Sequence, residues 1–101
     1  MKEKEEYKVR FQSFNCIVEV GEYNNGRKAL ELIDEKTGEL VLVATTNLPH
    51  AQMDADEVAI KNYSENEGVL DVLIKAQIIS IPQRYETNGY ITAPICKLLI
   101  K

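Results

Sequence analysis

Three residues carry the types that nucleophilic or metal chemistry needs: Cys16, His50 and Cys96. A thiolate beside an imidazole makes a nucleophile and its base. Two thiols and an imidazole would be most of a zinc site. The surroundings favour neither. Each cysteine sits in an apolar, strand-like stretch, where a free thiol behaves as a small buried hydrophobe. His50 is far from both in sequence and follows Leu48-Pro49 in a polar stretch, so it reads as an exposed loop histidine. Zinc ligands come in close-spaced clusters, and none is present. There is no glycine-rich phosphate loop and no Gly-x-Ser-x-Gly elbow. The sequence therefore predicts two buried, reduced thiols and no enzyme, with no catalytic residue, cofactor or metal. A disulfide between neighbouring strands stays open, and so does a small enzyme of unrecognised chemistry.

Charge is the stronger signal. Asp54, Asp56, Glu57, Glu65, Glu67 and Asp71 lie within one segment against Lys61 alone, a local charge of −5 in a chain whose net charge is −4. The excess of negative charge is thus confined to this stretch. The net charge of −4 argues against a general nucleic-acid or membrane-surface binder, because both ligands are polyanionic. Two readings fit. One is a solvated loop followed by acids that favour the start of a helix. The other is an acidic face that docks on a basic protein surface, of the kind that normally holds nucleic acid. The candidate contact residues are Asp54, Asp56, Glu57, Tyr63, Glu65, Glu67 and Asp71. A calcium site is a third reading, but the EF-hand spacing is absent. Tyr63, Tyr85 and Tyr90 flank the segment or the second Asn-Gly turn. Exposed, they would serve as interface anchors; the expectation for at least two of them is a ring in the core with a wet hydroxyl.

The elements that must position these groups read as α+β: an antiparallel sheet of five to six strands with one helix, over about 64–77, packed on it. Tyr7 to Phe11 alternates weakly and suits a short edge strand. Phe14, Cys16, Val18 and Val20 recur at period two. Asn24-Asn25-Gly26 supplies a tight turn, since asparagine and glycine tolerate positive φ. Arg27 to Ile33 is the return strand, and Glu35-Lys36-Thr37-Gly38 a second turn. Leu40 to Thr46, rich in Val and Leu on both faces, is expected as a central strand that completes a three-stranded meander. Pro49 ends the pattern, a polar loop runs to Asp56, and Glu57 to Asn62 suits a short strand.

Ser64-Glu65-Asn66-Glu67 reads as a capping box, in which Ser64 and Glu67 satisfy each other's backbone amides. Behind it Val69, Leu70, Leu73 and Ala76 form an apolar face, and Asp71 and Lys75 an i,i+4 pair. Ile78 to Ile81 is a short strand, Thr87-Asn88-Gly89 a turn, and Tyr90 to Ile100 the last strand, where Pro94 implies a bulge or an edge.

The 101 residues suit one domain, with residues 1–6 frayed. No apolar run is long enough for a membrane span, and no apolar stretch follows the charged start as in a signal peptide. A cytoplasmic location follows as the expectation. Paired sheet faces on two copies, with Ile33, Val41 and Val43 between them, would make a homodimer.

The stretches Tyr23 to Arg27, Asn47 to Pro49, Ile60 to Gly68 and Pro94 to Leu98 resemble a family of small proteins of bacterial plasmids, conjugative elements and phages. The resemblance spans roughly residues 14 to 99, and Lys61-Asn62-Tyr63-Ser64-Glu65-Asn66-Glu67 is its most distinctive piece. It brings no catalytic residues. In size and acidity the chain is similar to some anti-CRISPR proteins. That resemblance implies a partner of the type II RNA-guided nuclease class, inhibited at guide loading or DNA entry. Such nucleases hold their heteroduplex in a positively charged channel.

Overall fold

The structure, a computed structural model, describes residues 6–100. Of the expected frayed start, 1–6, only Glu6 is among them, ahead of the first strand. Eight strands and one short α-helix follow: β1 Tyr7–Phe11, β2 Phe14–Glu22, β3 Lys28–Asp34, β4 Leu40–Val43, β5 Thr45–Thr46, β6 Glu57–Ile60, α1 Val69–Lys75, β7 Arg84–Asn88 and β8 Ile91–Lys97. They form two four-stranded antiparallel sheets, ordered β1-β2-β3-β4 and β5-β6-β8-β7. The α+β character stands, but the single sheet of five to six strands is replaced by two.

The division falls at Ala44. The run from Leu40 to Thr46 is not one central strand. It breaks into β4, at the edge of the first sheet, and β5, at the edge of the second. Ala44 serves both: its amide donates to Leu30 O at 2.7 Å and its carbonyl accepts from Lys61 N at 2.8 Å. Switching sheets at a bend lets one chain run contribute to both layers. A register shift beside Leu32 and Ile33 leaves Val41 as an extra residue in β4.

The main core lies between the layers. Val9, Phe11, Cys16, Val18, Leu30, Leu32 and Leu42 meet Val58, Ile60 and Cys96, and α1 adds Val69 and Leu73. Alternation along β6 and β8 turns Ala59, Ala93 and Ile95 to the opposite face of the second sheet, where Leu48 covers them. Both faces of β6 are therefore buried, which is why all four of its residues are inaccessible. Burying Val, Leu and Ile side chains is worth about 1.5–3 kcal/mol each.

Three local expectations need correction. First, the capping box does not form: Ser64–Asn66 is a 3-10 turn with Ser64 at φ +55°, and no side chain caps it. The helix starts later, after Gly68 at φ +96°, and its cap comes from Asn62. Asn62 Oδ1 accepts from the amides of Gly68 (3.1 Å) and Leu70 (3.0 Å). Second, Ile78 to Ile81 makes only an isolated bridge, Ile79 to Leu98. Third, Arg84–Asn88 is a strand that the sequence pattern does not announce. The helix does end near Gln77. The Gln77 amide reaches Ile74 O and the Ile78 amide reaches Leu73 O, with Gln77 at φ +62°, the geometry of a Schellman motif. Pro94 sits in β8 one residue beyond the last β6 pairing at Ile95, where its missing N–H leaves no gap in that ladder.

Candidate functional site

The acidic segment is built from differently placed pieces: the loop before β6, β6 itself, the approach to α1, and the first turn of α1. The loop covers the outer face of the second sheet and is held at two ends by arginines. Arg27, just past the first Asn-Gly turn, donates through Nη1 to Leu48 O and through Nη2 to Ala51 O. Arg84 on β7 donates through Nη2 to Gln52 O at 2.7 Å. The same guanidinium forks onto Glu57, Nη1 to Oε2 at 2.8 Å and Nη2 to Oε1 at 3.0 Å. Glu57 Oε1 also accepts from the Asp54 amide at 2.9 Å.

Glu57 is only 5% exposed, so this carboxylate fastens the loop and offers nothing to a partner. The Arg84 guanidinium, then the Asp54 amide, hold its pKa down at about 2.

The remaining carboxylates divide. Asp56 faces Lys97 at 3.6 Å, and Glu65 pairs with Lys61 at 3.0 Å. The hydrogen bond it accepts from its own backbone, then the Lys61 ammonium, lowers the Glu65 pKa. Asp54, Glu67 and Asp71 are exposed and have no ion-pair partner among the described residues. Asp71 and Lys75 do not form the expected i,i+4 pair. So cations from distant strands, Arg84 and Lys97, answer part of the local charge, and three carboxylates remain free.

Among the aromatic candidates, Tyr63 is partly buried, with Lys61 Nζ 5.7 Å from its ring centre. Tyr85 is 62% exposed and Tyr90 stands fully in solvent, against the expectation that at least two of the three would be core. For Tyr90 the reason is the β7–β8 hairpin. Its tip, Asn88 to Ile91, runs beyond the last residue paired with β6.

Cys16 and Cys96 are free and buried. Desolvation raises the Cys16 pKa and pushes Cys96 up to about 11. Thiols in this environment are poor nucleophiles at neutral pH. His50 is exposed at the tip of the pinned loop and lines a small groove with Glu86 and Asn88. Among the described residues, no three His, Cys, Asp or Glu side chains are placed to hold a metal ion.

The two arginines that organise the loop are the functional neighbours that sequence reasoning missed. Arg27 had a visible place beside the turn, but its partners lie more than twenty residues away. No family model matches this chain, and neither a curated protein nor a solved structure matches it significantly.

Proposed function

We propose that this protein is a non-enzymatic binding protein of a mobile genetic element. It docks its exposed carboxylates on a basic protein surface in the cytoplasm, and its target is a type II RNA-guided nuclease. The observation that carries the reading is the fate of the six carboxylates. Asp54, Glu67 and Asp71 stay exposed and unanswered among the described residues, while Glu57 locks the loop that presents Asp54. Negative charge left unpaired on an ordered scaffold speeds encounter with a basic partner and fixes its orientation. No helix among the described residues is long and apolar enough to cross a membrane.

The test mixes purified protein with the nuclease and guide RNA, either before or after the two assemble, and follows cleavage of target DNA. Inhibition in at least one order is the expected result. Full cleavage in both orders contradicts the nuclease as target.

A further inference from the structure

A groove lined partly by carboxylates lies at the edge strand β4. Leu40 is 54% exposed and Phe14 39% exposed, and both line one groove of about 240 Å³ together with Val41. Asp34, Glu39 and Glu65 also line it, and no Lys or Arg does. Exposed apolar side chains beside carboxylates fit a ligand that is itself apolar along its stem and positive at its tip. Lysine and arginine side chains have that form. Of the three carboxylates, Asp34 accepts from the Lys36 amide at 2.8 Å and Glu65 pairs with Lys61. Glu39 has no side-chain partner among the described residues.

The edge itself is partly closed to strand addition. Asn66 Nδ2 donates to Val43 O at 2.8 Å and so takes an outward acceptor of β4. The extra residue at Val41 disrupts the ladder further, as bulges do on protected edges. Recognition there must run through side chains in the groove. A second copy of the chain is a poor occupant, because it would bring the same three carboxylates to face these.

We infer that the β4 groove is a docking site for a lysine or arginine, flanked by an apolar residue, on an exposed segment of a partner protein. The basic stem lies on Phe14, Leu40 and Val41, and its charge faces Asp34, Glu39 and Glu65. The inference deepens the proposed function by naming where one basic anchor of the partner sits, and it rests on that reading for its biological partner only.

The experiment titrates the full chain with a short capped peptide carrying one lysine between two leucines in a glycine–serine background. Backbone amide shifts are followed by two-dimensional NMR. Expected are shifts centred on Phe14, Leu40 and Val41, absent with the glutamate-for-lysine peptide. They should be lost in Glu39→Lys and in Leu40→Ser, two exposed sites whose folding the same spectra verify. They should survive in Glu67→Lys/Asp71→Lys. No shifts, equal shifts with the glutamate peptide, or shifts centred on residues 67–71 would overturn the inference. So would shifts of the same amides with protein concentration alone, which would seat a second copy in the groove. Because the peptide contains no nuclease, a failed cleavage assay and a failed titration are separate results.

Discussion

Arg84 forks onto Glu57 across the intervening strand β8, placing a bidentate ion pair on the outer face of the second sheet. Glu57 is almost wholly buried there, while the Arg84 side chain is 38% exposed. The pair also ties down the loop, through the Asp54 amide on one partner and Gln52 O on the other. Removing the cation leaves a buried carboxylate with a single backbone donor. Arg84→Met is therefore expected to destabilise the fold and lower its urea midpoint, because a charge-assisted hydrogen bond is lost. Glu57→Gln, which can still accept from the Asp54 amide, should cost less. Urea midpoints of the two variants and their double mutant check the order.

The same pair sets a pH dependence. The folded-state pKa of Glu57 is about 2, below its ordinary value of 4.5. A depressed carboxyl contributes stability that is fully present above the ordinary value and is lost as pH falls through the folded one. Stability should thus decline between pH 4.5 and pH 2. Glu57→Gln should flatten that decline in thermal melts recorded across the range.

The helix start offers a contrast between two neighbouring residues. Asn62 holds the Gly68 and Leu70 amides, so Asn62→Ala is expected to cost about 1 kcal/mol, as caps do. Ser64 caps nothing and stands at φ +55°, where a side chain is strained. Ser64→Gly should be neutral or stabilise by up to about 1 kcal/mol. Chemical denaturation distinguishes the two, and a larger loss at Ser64→Ala than at Asn62→Ala would restore the capping box.

Cys16 and Cys96 share one core and are both withdrawn from solvent. Neither should react with a thiol-specific chromogenic reagent at neutral pH until the protein unfolds. The reaction rate should then track the denaturation curve, and prompt labelling of native protein would contradict the burial.

Much of this architecture is legible in residue order because it is local. The Asn24-Asn25-Gly26 turn, the period-two run through Cys16 and Val18, and the helix stop at Gln77 depend on near neighbours alone. What depends on distant partners is not. Leu40 to Thr46 reads as one strand because nothing local marks Ala44 as the bend between sheets. The Ser64 box matches a helix-start pattern, yet Asn62 wins because its side chain reaches two amides at once. The acidic stretch counts as −5 along the chain, but folding brings in Arg84 and Lys97 and withdraws Glu57 from the surface. Tyr90 is exposed because its hairpin outruns its neighbour, a fact of register and not of composition.

The central claim is that the free carboxylates Asp54, Glu67 and Asp71 dock on a basic partner. The most direct measurement is inhibition of target cleavage by the Asp54→Lys/Glu67→Lys/Asp71→Lys variant beside the unaltered protein, with circular dichroism to verify its fold. Docking through these groups predicts inhibition by the unaltered protein that weakens with added salt, and a folded variant that no longer inhibits. Equal inhibition by both proteins, insensitive to salt, would contradict it.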